Sequence, residues 1–207
     1  MKRFDIPIIL LAAGQSSRMR GTDKLLEPVA GVPLIRVMAE RARAATQASV
    51  VLALPPKPHP RYAALEGVDV QSVAVARAKD GMGASLATAI TQVPAGSEAV
   101  MVVLADMPDV STQDLCALAA QIDLQSDTRV WRAATAKGLP GHPVVFHRAL
   151  FAKLARLDGD RGGQDILRDH MDQVQLVPLS GDQARLDLDT PEDWAAWHAS
   201  KPVAPHG

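Results

Sequence analysis

Short, almost uninterrupted apolar runs alternate along this chain with segments of helical periodicity. Strands that are buried on both faces need hydrophobic residues at nearly every position, so the alternation is typical of parallel strands covered by helices. The predicted strands are 6–11, 49–54, 69–75, 98–104, 129–134, 142–146 and 173–178. The predicted helices are 33–46, 82–92, 111–121, 148–156, 162–170 and 191–199, with a further short helix after the proline-rich loop 55–60. We therefore expect one doubly wound, Rossmann-like α/β domain with a mostly parallel sheet and helices on both faces.

Two of the predicted helices begin at strong local signals. Ser111 has Asp114 three positions later, a spacing that is typical of a capping box. Thr190 comes directly before Pro191, which places a capping side chain and a proline together at the next helix start. Both signals predict where the chain enters a helix.

The size and charge of the chain restrict its partners. With 207 residues and a formal net charge of −1, it has room for one hydrophobic core and no global field that would attract nucleic acid or an acidic membrane. Its one cysteine, Cys116, excludes an intramolecular disulfide and a cysteine-cluster metal site. No apolar stretch approaches the roughly 20 residues of a membrane span. We expect a cytoplasmic protein with one domain over 1–200 and a flexible tail over 201–207.

The segment 11–24, LAAGQSSRMRGTDK, follows the first predicted strand and carries the strongest functional signal. Small residues after a strand leave backbone N–H groups free to face an anion. Cations at Arg18, Arg20 and Lys24 then stand where they can reach a polyphosphate. The segment predicts a phosphate-binding loop for a nucleoside triphosphate. The alternative is an ordinary strand-to-helix turn with a solvated basic rim.

This loop differs from the two best-known phosphate-binding motifs. A P-loop has two glycines five positions apart, followed directly by Lys and Ser or Thr. Here Gly14 and Gly21 are seven positions apart, and Thr-Asp follows the second. The dinucleotide motif needs a second glycine two residues after the first, and Gly14 has none there. A P-loop NTPase is therefore excluded and a simple dehydrogenase is disfavoured.

Carboxylates follow two further extended segments. Asp106 stands after the predicted strand 98–104, where parallel sheets bind ligands, and it could hold Mg²⁺ together with substrate phosphates. Asp187 and Asp189 are two positions apart, so on an extended segment both point to the same side, and one of them would be a second metal ligand. The alternatives are an Asx-type turn before Pro108 and a surface residue before the last helix.

Weaker signals indicate contacts to a nucleotide or an acceptor. Gly81 and Ser85 stand at a predicted helix start, where free N–H groups and a hydroxyl suit a nucleobase, a ribose or a phosphate. His142 follows a glycine turn, and it would either hydrogen-bond an acceptor phosphate or serve as a structural histidine. The stretch 157–167 combines acids, an arginine and glycines, and it predicts a mobile loop before a helix.

These motifs occur in an order that is known from one family. LAAGxSxRM with a following Lys-Leu-Leu, then Gly-x-Pro-Leu, GMxxSL, ADMP, GHPVxF and DxDTPEDW succeed one another between about residues 5 and 199. The chain thereby resembles the MobA-like NTP transferases, small nucleotidyltransferases related to molybdenum cofactor guanylyl- and cytidylyltransferases. The resemblance implies a nucleotide-diphospho-sugar transferase-like fold. It also implies transfer of a nucleoside monophosphate to the terminal phosphate of a molybdopterin-type acceptor, with release of pyrophosphate.

The resemblance implies roles for individual residues. It implies Mg²⁺ as the cofactor, with Asp106 and either Asp189 or Asp187 as its ligands. Arg18 and Lys24 would stabilise the charge on the leaving pyrophosphate. The loop would wrap the nucleotide through Leu11, Ala12, Ala13, Gly14 and Ser16, and the further candidates for binding are Gly81, Ser85 and His142.

Two positions in the loop bear on the substrates. LAAG is similar to the cytidylyltransferase form of the motif and LAGG to the guanylyltransferase form, so Ala13 favours CTP. Arg20 stands where the family commonly has glycine. It would add a phosphate contact or mark a subgroup with a different acceptor.

Two other functions compete with cytidylyl transfer to molybdopterin. The first is the same chemistry with GTP or on a sugar or polyol phosphate. The second is a non-catalytic carrier that helps to insert a cofactor into a partner enzyme. Arg18, Lys24 and Asp106 together argue against the carrier, because binding alone could dispense with a metal carboxylate. A molybdoenzyme or its maturation factor would be the protein partner, and neither nucleic acid nor a membrane is expected.

Overall fold

The computed structural model describes residues 3–159 and 162–201, and a seven-stranded sheet lies at their centre. The strands are β1 Ile8–Leu11, β2 Pro28–Val29, β3 Val32–Pro33, β4 Val50–Leu54, β5 Gln71–Ala74, β6 Ala99–Leu104, β7 Val130–Ala134, β8 Pro140–His147 and β9 Val174–Pro178. β2 and β3 form a small antiparallel pair of their own. The central order is β5-β4-β1-β6-β8-β7-β9, with β8 antiparallel to both of its neighbours. The predicted mostly parallel sheet is confirmed.

β8 runs against its neighbours because its connection from β7 is short. Only residues 135–139 join the two strands, whereas a parallel pairing would need a crossover of a dozen or more residues. Gly138 in this turn has a φ of 80°, which glycine adopts without strain. β8 pairs Val144 with Val102 of β6, and this register brings His142 to the carboxyl end of β6.

Helices cover both faces of the sheet. They are α1 Leu34–Ala45, α2 Pro60–Ala64, α3 Met82–Ile90, α4 Thr112–Ala119, α5 Phe151–Leu154, α6 Gly162–Asp169 and α7 Pro191–Ser200. The predicted helix 148–156 begins as a 3-10 turn over Arg148–Leu150, and α2 is the short helix expected after 55–60. Ser111 opens α4 with a capping box, as predicted, and the cap predicted at Thr190 opens α7, where it also forms a capping box.

The core lies in two layers, one on each face of the sheet. Alternate side chains of a strand point to opposite faces, so Ile8 and Leu10 pack in the layer of α1, α4 and α7. Ile9 packs in the other layer, with α3, α5 and α6. All three side chains are fully buried, which accounts for the apolar runs in the sequence. This arrangement confirms the doubly wound architecture.

The strand order brings two of the predicted functional segments together. β1 lies between β4 and β6, with Leu11 beside both Ala53 and Leu104. The chain leaves β1 into the loop 12–27 and leaves β6 towards Asp106, so both segments emerge at the same edge of the sheet. Doubly wound sheets bind their ligands at this edge.

No helix within the described ranges is long and apolar enough to cross a membrane. The predicted tail falls outside the described residues except for Lys201.

Candidate active site

The loop between β1 and β2 is held in place by Arg61 of α2. This side chain is 1% exposed, and its Nη1 donates to the Ala12 carbonyl at 2.6 Å. Its Nε and Nη2 donate to the two carboxylate oxygens of Asp23 at 2.8 and 2.7 Å. Burial acts to raise the pKa of Asp23, but the hydrogen bonds and charge of Arg61 hold that pKa below its ordinary value. Arg61 thus ties both ends of the loop to α2, and it was not among the predicted site residues.

Within this loop, residues 16–20 form a tight turn. A 3-10 turn over Ser17–Met19 lies between Ser16 at φ 52° and Arg20 at φ 54°, both in the left-handed region. That conformation costs roughly 1 kcal/mol or more for residues other than glycine, so other contacts must stabilise it. Met19 supplies one, since it is 2% exposed in the core. Ser16 supplies another, because its hydroxyl donates to Asp23 Oδ1 at 3.1 Å.

The backbone before this turn presents unpaired donors. The N–H of Ala12 still donates to the Ala53 carbonyl at 2.9 Å, which ends the pairing of β1 with β4. The N–H groups of Ala13, Gly14 and Gln15 donate no hydrogen bond to any atom in residues 3–159 and 162–201. Successive free N–H groups at the carboxyl end of a central strand suit the oxygens of a phosphate.

Lys24 lies between two carboxylates from distant parts of the chain. Its Nζ donates to Asp106 Oδ2 at 2.5 Å and to Asp189 Oδ1 at 2.6 Å. The three side chains, in that order, are only 12%, 19% and 17% exposed, so solvent screens these pairs weakly. Burial acts to lower the pKa of Lys24, but the charges and hydrogen bonds of both carboxylates raise it above its ordinary value. The ammonium group therefore stays protonated between the two acids.

Asp189 contacts two cationic side chains of the site. Besides Lys24, Arg18 contacts it, with Nη2 at 2.6 Å from Oδ2. Burial acts to raise the pKa of Asp189, but Lys24 and then Arg18 bring it below its ordinary value. The pKa of Asp187 is raised by burial, by its hydrogen bond with Asp189 and by the charge of Asp106. Carboxylates crowded in this way favour an added cation.

Asp106 has one carboxylate oxygen left for a further contact. Its Oδ1 is buried and has no hydrogen-bond partner within the described residues. A free carboxylate oxygen fits a hard cation such as Mg²⁺, which usually takes one or two carboxylates and completes its shell with water and substrate phosphates. No group of three or more His, Cys, Asp or Glu side chains in the described ranges is arranged to hold a metal by itself. A metal here would therefore depend on the oxygens of a bound phosphate.

These groups share one cleft of about 490 Å³, which we call the nucleotide cleft. The predicted site residues that line it are Leu11, Ala12, Ala13, Gly14, Ser16, Arg18, Lys24, Gly81, Ser85, Asp106, Asp187 and Asp189. His142 lies outside it, in a second cavity of about 140 Å³. The volume of the nucleotide cleft is within the usual range for small-molecule sites.

The start of α3 forms another wall of the nucleotide cleft. Gly81 precedes the helix at φ 109°, and Ser85 is buried in its first turns. The N–H of Gly83 donates to the Gly159 carbonyl at 2.9 Å, and a Cβ at position 83 would stand 2.4 Å from that oxygen. Position 83 therefore requires glycine, because the Gly159 carbonyl lies so close to its backbone. The hydrogen bond between them joins α3 to the stretch 157–167, which the sequence predicts to be a mobile loop. Residues 160 and 161 of that stretch lie outside the described residues.

His142 of β8 faces the second cavity together with Arg132 of β7. Burial, reinforced by the charge of Arg132, lowers the pKa of His142 to about 4, so the ring is neutral at pH 7. Its Nδ1 is buried and has no hydrogen-bond partner within the described residues. That unpaired nitrogen weakens the alternative of a purely structural histidine.

Arg20 points away from the cleft. Its Nη2 contacts Glu192 Oε1 of α7 at 2.6 Å, and the two side chains are 72% and 62% exposed. Exposed pairs of this kind contribute little to stability. Arg20 links the turn of the loop to α7 and is absent from the lining of the cleft.

Comparison with known protein families identifies the family to which this chain is related. Residues 8–174 match the model of the MobA-like NTP transferase domain. The chain belongs to this family. The resemblance seen in the sequence motifs is confirmed, and the protein is a nucleotidyltransferase of the MobA-like type. The match includes the loop, Asp106 and His142, and it ends before Asp187 and Asp189.

The chain is also similar to several named proteins. It is 31% identical over 194 residues to a probable molybdenum cofactor guanylyltransferase from Trichormus variabilis, which covers 92% of this chain and 89% of that protein. It is 35% identical over 108 residues to the bifunctional protein GlmU from Leifsonia xyli subsp. xyli, which covers 50% of this chain and only 22% of that protein. Among solved structures, Rv0371c from Mycobacterium tuberculosis H37Rv has a TM-score of 0.79 at 29% identity, covering 97% of this chain and 100% of that chain. Rv0371c has also been crystallised in complex with manganese.

Proposed function

We propose that this protein transfers CMP from CTP to the terminal phosphate of a molybdopterin-type acceptor and releases pyrophosphate. The observation that carries the proposal is the Lys24 centre, in which one shielded ammonium binds Asp106 and Asp189 near the free N–H groups of the loop. This centre offers cations and N–H donors to phosphates and a carboxylate to a metal. In the proposed reaction, the phosphate of the acceptor supplies the nucleophile.

In the proposed reaction, an oxygen of the acceptor's phosphate monoester attacks the α-phosphorus of the triphosphate. The bond from the α-phosphorus to the oxygen that bridges to the β-phosphorus breaks, and pyrophosphate leaves with that electron pair. A phosphate monoester has its second pKa near about 6, so it is mostly ionised at neutral pH and no protein group has to remove a proton. Catalysis then consists of positioning and charge stabilisation.

Arg18 and Lys24 are the cations proposed for the triphosphate. Both contact Asp189 at 2.6 Å, so a bound triphosphate would replace a carboxylate partner with phosphate oxygens. The free N–H groups of residues 13–15 would bind further phosphate oxygens. Together these donors would stabilise the charge that develops on the leaving pyrophosphate.

Asp106 and Asp189 are the residues that would hold Mg²⁺, and Asp187 is the alternative to Asp189. The free Oδ1 of Asp106 and the crowding of the other two carboxylates fit an added cation. When bound, the metal would neutralise phosphate charge and help to align the two substrates. The manganese complex of Rv0371c supports a divalent cation on this fold.

The choice of CTP rests on Ala13. Its side chain is 2% exposed and the residue lines the nucleotide cleft. The similarity of LAAG to the cytidylyltransferase form of the motif is what favours CTP. The relative named a guanylyltransferase favours GTP, so GTP is the competing nucleotide.

The molybdopterin-type acceptor is proposed from the motif order and from the name of that relative. A sugar or polyol phosphate is the alternative acceptor. A non-catalytic carrier is disfavoured, because nucleotide binding alone has no use for the carboxylate of Asp106 with its unpaired Oδ1.

A thermal-shift panel of CTP, GTP, ATP and UTP, each with and without Mg²⁺, tests this proposal. A ligand at 100 times its Kd adds about 2.7 kcal/mol to the free energy of unfolding. CTP with Mg²⁺ should stabilise the protein most, and Ala13→Gly should shift the preference towards GTP. Stabilisation by GTP and not by CTP would show that the role given to Ala13 is wrong. No stabilisation by any of the nucleotides would contradict the proposed function itself.

A further inference from the structure

The second cavity adjoins the nucleotide cleft, and none of the steps above uses it. Leu11 and Met82 line both spaces, so the two are neighbours. Most of the wall of the second cavity is apolar, and the side chains that form it include Leu86, Val102, Val144, Phe146 and Leu167. The polar side chains that line it are Arg132, His142 and Gln164.

Arg132 brings a positive charge into this cavity without an acidic partner. Its Nε donates to the Gly141 carbonyl at 2.9 Å, and it forms no ion pair with a carboxylate in the described ranges. Burial, and then the charge of Arg185, lower the pKa of Arg132. Both effects oppose the charged guanidinium, so an anion that entered the cavity would be bound favourably.

His142 lies beside this charge with unused hydrogen-bonding capacity. Its neutral ring can donate from one nitrogen and accept at the other, and the buried Nδ1 has no partner within the described residues. The ring senses the charges of both Arg132 and Asp106. His142 therefore adds an unused ring nitrogen to the cavity that Arg132 also lines.

The proposed reaction needs a cation at this place. A phosphate monoester carries about −1.5 to −2 charge near pH 7, and it has to approach an anionic triphosphate beside several carboxylates. Arg18 and Lys24 are occupied on the triphosphate side. Among the described residues that line the second cavity, Arg132 is the one with a charged side chain.

We propose that Arg132 and His142 bind the acceptor's phosphate and present it to the nucleotide cleft, an inference that rests on the proposed function. The guanidinium donates to the phosphate oxygens, and the imidazole donates one N–H. The apolar wall then contacts the part of the acceptor next to its phosphate. This favours an acceptor with a compact apolar or flat group at that position. The hydroxyls of a sugar phosphate would lose hydrogen bonds to water against Val144 and Phe146.

An NMR titration of the nucleotide-free protein with inorganic phosphate tests this inference at the residues concerned. The Arg132 Nε–H signal and the His142 ring signals should shift together and saturate. Arg132→Gln should weaken the binding seen at His142 about tenfold or more, the loss expected for a charge-assisted hydrogen bond. Arg132→Lys keeps the charge without the planar fork and should give an intermediate affinity.

Arg129→Gln is the matched control. Arg129 Nη1 donates to the carbonyls of Ser126 and Thr128, and the residue does not line the cavity. This variant removes the same charge and should bind phosphate as the wild type does. In a transfer assay, Arg132→Gln should raise the KM for the acceptor and leave the KM for the nucleotide unchanged.

The inference is overturned if phosphate shifts neither signal in the wild-type protein, or if Arg129→Gln weakens binding as much as Arg132→Gln. An equal rise of both KM values would overturn it as well. The titration contains no nucleotide, so its result is separate from the thermal-shift panel. Nucleotide binding without phosphate binding at Arg132 contradicts this inference alone, whereas absence of nucleotide binding contradicts the proposed function.

Discussion

At the scale of the residue, Lys24 explains how the site exists without its substrates. It holds Asp106 and Asp189, which lie 82 and 165 positions further along the chain, and so prevents two shielded carboxylates from repelling each other. A bound triphosphate would compete for the same ammonium group, and the carboxylates would then face a divalent cation. In the proposed function, the metal site would therefore be completed only when the triphosphate is bound.

His142 leads to a prediction about stability and pH. Its pKa is about 4 in the folded protein against an ordinary 6.5, so between these values the unfolded chain binds more protons than the folded one. Stability is then fully present above pH 6.5 and is lost as the pH falls towards 4. Between about pH 7 and about pH 4.5, the wild type should lose about 2 kcal/mol more of its free energy of unfolding than His142→Gln.

Urea denaturation of both proteins at the two pH values checks this expectation. An equal loss in the wild type and in His142→Gln would show that burial does not keep the imidazole neutral.

At the scale of the element, α2 holds the loop 12–27 in place through Arg61. Arg61→Gln leaves Asp23 without its cation, so the free energy of unfolding should fall by about 3 kcal/mol. The loop also loses its attachment at Ala12, and CTP should bind more weakly. Urea denaturation and calorimetric titration with CTP measure the two effects.

Arg148→Gln is the control for this prediction. It breaks an ion pair with Glu98 in which the side chains are 48% and 51% exposed, and it should cost less than about 1 kcal/mol. A cost as small as this for Arg61→Gln, with unchanged CTP affinity, would contradict the role given to Arg61.

The strands and helices could be predicted because their signals are local. Buried strands need continuous apolar residues, and the capping boxes at Ser111 and Thr190 lie within four residues of sequence. The reversal of β8 also follows from a local quantity, the length of the connection over 135–139. Local patterns were sufficient for the strands and helices, whereas the reversal of β8 was not among the predictions.

Arg61 and Arg132 could not be predicted in the same way. The hydrogen bonds of Arg61 span 38 residues to Asp23 and 49 residues to Ala12, and no motif surrounds it. Arg132 lies within an ordinary buried strand, and its cavity is formed where β1, β6, β7, β8, α3 and α6 come together. Contacts between residues so far apart in the sequence depend on the tertiary fold, which local sequence patterns do not describe.

At the scale of the whole molecule, the strand order assembles the nucleotide cleft. Its walls come from 11–25, 78–85, 104–106 and 187–189, which are far apart in the sequence. They meet because β1 lies beside β6 and both strands end at the same edge of the sheet. One strand order therefore places the loop 12–27, Asp106 and the start of α3 around one cleft.

Release of pyrophosphate is the direct measure of metal-dependent nucleotidyl transfer in this cleft. The assay combines each of the four NTPs with Mg²⁺ and a molybdopterin acceptor, and compares the wild type with folded Asp106→Ala and with Asp127→Ala, which changes an exposed carboxylate. We predict release of pyrophosphate with CTP by the wild type and by Asp127→Ala, loss of this release without Mg²⁺, and none by Asp106→Ala. Metal-dependent transfer would be contradicted if none of the four NTPs led to release of pyrophosphate. Near-normal turnover by folded Asp106→Ala would contradict it as well.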